Sequence, residues 1–169
     1  MNKSLEEKFL EVYETHSDAI FRYCYFRLYN QEKAKDMAQE TFIKVWTYLK
    51  DGHEIDNLKA FLYRVATNLI IDDSRKKKET SLEILQENGF EPSLDGEAKE
   101  EKRIDGLFLQ EILALLDEEY RDVVYMRYIE ELQPREIAVI LNESVNVISV
   151  RIHRGLKKLK LLMVQHNKL

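Results

Sequence analysis

Cysteine, proline and glycine are scarce in this chain: one, two and five of 169 residues, with a single tryptophan. The lone Cys24 excludes an internal disulfide and the secreted scaffolds that depend on one. No apolar run approaches the roughly 20 residues of a membrane span. The first residues, MNKSLEEKFLEVYE, are charged and amphipathic, unlike the apolar centre of a secretory leader. A soluble, cytoplasmic protein is expected. The four histidines, His16, His53, His153 and His166, share no metal-ligand spacing with Cys24, so no metal and no cofactor is expected either. Strand-like alternation also fails to appear in the N-terminal part, and the expected fold class is all-α.

What is present is charge, unevenly placed. The chain carries 26 basic and 31 acidic residues, a formal net charge of -5. From Glu79 to Asp105 nine acids face three bases, which leaves the remainder close to neutral. That stretch holds Gly89, Pro92 and Gly96 and few apolar residues, the composition of a flexible acidic linker over 79–105. It separates two small helical domains, 1–78 and 106–169, each near the lower size limit for an independent core.

In the first domain the periodicity predicts helices over 5–15, 17–29, 31–49 and 57–78. Ser4 and Glu7 have the spacing of a capping box, and Asp51-Gly52-His53 marks the main turn. In the third helix Ala34, Ala38, Thr41, Val45 and Leu49 form a packing face, widened by Phe42 and Trp46. Asp36, Gln39, Glu40 and Lys44 then look outward, and spacing alone makes them ordinary solvated surface. In the fourth helix Leu58, Leu62, Val65, Ala66 and Leu69 face the core, leaving Arg64, Asn68, Ile71 and Arg75 as an exposed stripe suited to contact. The run Arg75-Lys76-Lys77-Lys78 is either part of that surface or a set of cations complementing the negative end of the helix dipole. Asp72 and Asp73 invite a metal-nuclease reading, but neighbours on a helix diverge by about 100° and no third ligand has a matching spacing.

The last third reads as a helix-turn-helix. Pro134 opens a short helix to Leu141, with Gln133 as a weak N-cap and Glu136 at the third helical position. Asn142-Glu143-Ser144 forms the turn, and Ser144 is a good N-cap for the next helix. On that helix Val145, Ile148, Ile152, Gly155, Leu156 and Leu159 share a packing face. Asn146, Val150, His153, Arg154 and Lys157 lie opposite, with Val147, Arg151 and Lys158 on one flank. No acid occurs from Arg151 to Leu169. Asn146, Val147 and Val150 are placed to read base edges, and Arg151, Arg154 and Lys157 to grip phosphate, the plainer alternative being a solvated basic face. A chain of net charge -5 is a poor free DNA binder, so a second factor has to bring it there.

Three segments carry a family resemblance. AKDMAQETFIKVW is similar to the A-x-D-x-x-Q-x-x-F segment, and AFLYRVATNLIIDDSRKKK to the following helix, of region two of bacterial extracytoplasmic-function (ECF) sigma factors. LLDEEYRDVVYMRYIEELQPREIAVIL resembles the opening of region four. The resemblance implies a non-enzymatic subunit that binds core RNA polymerase, at the beta-prime clamp helices and the beta flap, and directs it to promoter DNA. It implies that Asp36, Gln39, Glu40 and Phe42 dock polymerase, and that Arg64, Asn68, Ile71, Asp72, Arg75 and Lys76, with the loop 51–57, open and read the minus-ten element. It assigns Ser144, Asn146, Val147, Ser149, Val150, Arg151, Arg154 and Lys157 to the minus-thirty-five element, and an anti-sigma factor to regulation. The chain departs from the family's S-x-x-T-V-K-S-R at Ser149 and Val150. A valine can meet a thymine methyl but cannot hydrogen-bond a purine, so an unusual upstream element is expected. Two other readings stay open on sequence: a dimeric helix-turn-helix regulator with a palindromic operator, and a nuclease using Asp72 and Asp73.

Overall fold

With so few breakers, the chain spends most of its length in helix. The computed structural model of the chain describes residues 3–84 and 108–167. Gly89, Pro92 and Gly96 of the expected linker lie outside these. The helices are α1 (Leu5–Leu28), α2 (Gln31–Lys50), α3 (Leu58–Ile84), α4 (108–114), α5 (Glu118–Tyr128), α6 (Pro134–Leu141) and α7 (Val145–His166), with no strand among the described residues. The chain divides into two compact units, one in the main α1–α3 and the other in the main α4–α7.

The capping box forms at the start of α1: Glu7 N–H donates to Ser4 Oγ at 3.2 Å, and Ser4 N–H to Glu7 Oε2 at 3.0 Å. The break expected at His16 does not occur, and α1 is one helix of 24 residues. Thr15 and Ser17 had suggested a boundary, but the Thr15 hydroxyl donates back to Glu11 O at 2.7 Å, a bond that leaves the helix intact. Beyond it Ile20, Tyr23, Cys24 and Phe26 are buried, and that burial carries the helix through. Tyr29 ends it in the left-handed region, at φ 51°, donating its N–H to Tyr25 O. Asn30 then caps α2 and Asn57 caps α3, their side chains accepting from Lys33 and Ala60 N–H at 3.0 Å each. Between them Gly52 takes φ 86°, the left-handed position that the turn requires.

The third helix also exceeds its expected end, running six residues past Lys78 to Ile84. Thr80 Oγ1 donates to Lys76 O, and Lys77 pairs with Asp73 at 3.3 Å one turn back. The run Arg75–Lys78 therefore sits inside the helix, more than a turn from its end, where the dipole offers those cations little.

Phe42, Val45, Ala34 and Ala38 of α2 pack with α1, Phe42 lying between Tyr13 (4.9 Å) and Phe9 (6.4 Å). On the other side Tyr23 meets Tyr63 edge to face at 5.4 Å, and its hydroxyl lies 2.9 Å from Thr67 Oγ1, a buried polar tie between α1 and α3. Burial pushes the Cys24 thiol up to about 12, so the one cysteine is an inert core residue.

In the second unit the close approach of α5 and α7 is built on Gly155. A side chain there would begin 2.8 Å from Val124 Cγ2 and 3.2 Å from Tyr120 Cβ. Val123, Val124 and Met126 of α5 and Ile148, Ile152 and Leu159 of α7 are buried. The buried Glu130 accepts from Tyr125 O–H at 3.0 Å.

Candidate nucleic-acid interface

Three surfaces bear on binding. On α2 the alternation set by Ala34, Ala38, Thr41 and Val45 facing inward leaves Asp36, Gln39 and Glu40 exposed. Phe42, expected beside them as a contact, is instead 4% exposed and belongs to the core. The apolar residue that does stand out on this face is Ile43, 63% exposed, seven positions from Asp36 and four from Gln39. Two acids and an amide around one bare aliphatic side chain make a surface able to meet a protein groove.

On α3 the stripe Arg64, Asn68, Ile71 and Arg75 is exposed throughout, with Asp72 and Lys76 beside it. Spacings of four, three and four keep it on one line of the helix. Directly behind Asn68, Thr67 is buried and doubly tied, donating to Tyr63 O at 2.6 Å and meeting Tyr23, so the stripe stands on a fixed helix. Lys77 turns away from the stripe and pairs with Asp73 at 3.3 Å. Arg75, Lys76 and Lys78 of the run are exposed, and Lys78, three positions after Arg75, continues the stripe. The turn adds what periodicity could not show. His53 stacks on Tyr48 at 4.3 Å and 22°, and Tyr48 lies 5.0 Å from Phe61. Aromatic rings in the turn that leads into the helix bearing those cations and that amide are side chains of the kind on which unstacked bases stack.

On α7, Ser144 N-caps as expected, accepting from Val147 N–H at 3.2 Å. Ile148, Ile152, Gly155 and Leu159 are buried, Leu156 is half-buried, and Val145, expected on the same face, is instead 41% exposed. Asn146, Ser149, Val150, Arg154 and Lys157 are exposed and Val147 is half-buried. Arg151 differs from the other cations: it is held by Glu143 at 3.2 Å and Glu119 at 3.7 Å. With the exposed His153, the helix offers an outer face of one amide, one hydroxyl, one valine, one imidazole and two cations, a composition able to touch both base edges and phosphates. Asp72 is exposed and Asp73 is paired to Lys77, and no cluster of three metal-ligating side chains occurs among the described residues.

The family model of sigma-70 region 2 matches residues 12–80, and that of sigma-70 region 4 matches residues 109–159. The ECF RNA polymerase sigma factor SigW of Bacillus subtilis (strain 168) is 34% identical over 172 residues, spanning 95% of this chain and 91% of SigW. The ECF sigma factor SigE of Mycolicibacterium smegmatis is 30% identical over 93% of this chain, which spans 62% of SigE. The fold is shared with the sigma factor RpoE of Bartonella quintana, solved in complex with the anti-sigma factor NepR (TM-score 0.80, 20% identity, 93% of this chain and 97% of RpoE). It is shared too with CnrH, solved with the cytosolic domain of CnrY (TM-score 0.70, 22% identity, 95% and 90%).

Proposed function

This chain belongs to the ECF group of sigma-70-type RNA polymerase sigma factors, and from that premise we propose how its surfaces divide the work. It is an alternative sigma factor directing promoter-specific transcription initiation, a regulatory subunit and not an enzyme. The first unit docks the beta-prime clamp helices of core polymerase through Asp36, Gln39, Glu40 and Ile43, and the second engages the beta flap. The α3 stripe opens and reads the minus-ten element, and α7 reads the minus-thirty-five element.

The observation that carries this reading is the unbroken exposure of Arg64, Asn68, Ile71 and Arg75 over a helix pinned by the Tyr23–Thr67 tie. Extruding a base costs a few kcal/mol of stacking, which a pocket offering hydrogen bonds and an aromatic face offsets. Asn68 has both donor and acceptor for a base edge. The Tyr48–His53 stack supplies the face, and Arg64, Arg75 and Lys76 hold the strand. Among the residues of α7, Asn146, Ser149 and Val150 meet base edges while Arg154 and Lys157 meet phosphate. Polymerase supplies the affinity that a net charge of -5 denies the free protein. An anti-sigma factor is the expected regulator, a reading supported by the complex of RpoE with the anti-sigma factor NepR. No described helix is long and apolar enough to cross a membrane.

Ile43→Glu tests the docking assignment. The position is open enough to accept a carboxylate without disturbing the core, so the variant stays folded. Competition with wild type for core polymerase is expected to show binding weakened by about 30-fold or more, the loss typical of an apolar anchor. Undiminished binding would remove α2 from the docking surface.

A further inference from the structure

Arg151 and Lys158 lie seven residues apart, on one flank of α7, and both are engaged by acids of their own unit. Arg151 Nη2 donates to Glu143 Oε1 at 3.2 Å, and its Nε lies 3.7 Å from Glu119 Oε2. Only 25% of its side chain is exposed. Lys158 Nζ meets Asp117 Oδ2 at 3.2 Å and sits 4.6 Å from the centre of the Tyr120 ring. Asp117 is the N-cap of α5 and makes no capping bond with its side chain, and Glu119 lies in the first turn of that helix. Glu143 belongs to the turn that delivers α7. Arg154 and Lys157, on the outer face, make no ion pair among the described residues.

We propose that Arg151 is a positioning residue for upstream-element recognition and not a phosphate ligand: gripped by Glu143 and Glu119, it fixes the entry turn of α7 against α5. This rests on α7 being the helix that reads the minus-thirty-five element. A guanidinium has donors on several edges and can hold two carboxylates at once. A guanidinium committed to two carboxylates releases little counterion when DNA arrives, whereas a free cation that neutralises a phosphate does. The residues that face the bases, Asn146, Ser149 and Val150, all lie between the Glu143 turn and Arg151. A small tilt of this first turn displaces them together, and base-edge contacts tolerate displacements of only about 0.5 Å.

The test uses the full chain assembled with core RNA polymerase, binding a promoter fragment with an intact or a scrambled upstream element across a salt series. Arg154→Gln is expected to reduce the salt slope by about one and to weaken binding to both fragments. Arg151→Gln is expected to leave the slope unchanged and to cut the preference for the intact element by about three- to tenfold. Glu119→Gln with Glu143→Gln, which keeps the arginine, is expected to cut that preference similarly, and the triple variant to be no worse than either, since all three act as one unit. Arg151→Gln behaving like Arg154→Gln would overturn the proposal, as would an undiminished preference in the double glutamine variant. The latter alone decides if a melting curve shows Arg151→Gln unfolded. A wild-type holoenzyme indifferent to the upstream element would instead overturn the reading of α7, and this inference with it.

Discussion

Phe42→Ala is expected to remove most of the stability of the first unit, a loss of core packing and not of a docking contact. The ring is 4% exposed and packs against Tyr13 and Phe9 from α1. Removing a buried phenylalanine ring costs about 3–5 kcal/mol. A domain of about 80 residues has at most a few kcal/mol more than that to lose. Phe42→Leu keeps most of the volume and is expected to cost about 1 kcal/mol. Trp46, the single tryptophan of the chain, lies 5.0 Å from Phe9 in the same cluster, so its fluorescence in a urea titration reports this core directly. A wild-type midpoint for Phe42→Ala, together with lost polymerase binding, would return Phe42 to the docking surface.

Gly155→Leu is the second large effect. At Gly155 even a first carbon begins 2.8 Å from the Val124 methyl, 3.2 Å from Tyr120 Cβ and 3.4 Å from Tyr120 O. Val124 is β-branched and buried, and the carbonyl is backbone, so neither gives way cheaply. Alanine gains about 1 kcal/mol of helix propensity against this clash, and leucine gains as much but adds three more carbons to the crowding. Overpacking of this kind costs about 1–3 kcal/mol or more, a large share of what so small a unit holds. Hydrogen exchange is expected to show α5 and α7 losing protection together. Wild-type protection of both helices in Gly155→Leu would mean that the contact is looser than these distances state.

The sequence conveyed the helical class and the second unit well, and misjudged three places for physical reasons. Pro134, Ser144 and the apolar spacing of α6 and α7 are strong local signals, and those helices begin where the residues say they do. In α1, His16 and Ser17 are weak helix formers, and only the burial of Ile20, Tyr23 and Cys24 against other helices overrides them. In α3, the cation run looked like a helix end because nothing local announces that Glu79 and Thr80 continue the helix. At α2 the spacing had already placed Phe42 on the packing face and only the family resemblance drew it toward docking; its 4% exposure upholds the spacing, and the exposed aliphatic on that helix, Ile43, went unnamed. The pairing of Arg151 with Glu119 joins residues 32 apart in the chain and could come only from the fold. So could the stack of His53 on Tyr48, which depends on the conformation of the Gly52 turn.

The central claim is that this subunit gives core polymerase its promoter choice through two separate reading surfaces. Transcription in vitro from a library of promoter fragments, by core RNA polymerase with and without the protein and with Asn68→Ala alongside, tests it most directly. The expected result is transcripts that require the protein and share two upstream motifs, weakened about tenfold or more by Asn68→Ala, the scale of one lost base contact. Failure to initiate, together with tight DNA binding in the absence of polymerase, would contradict it.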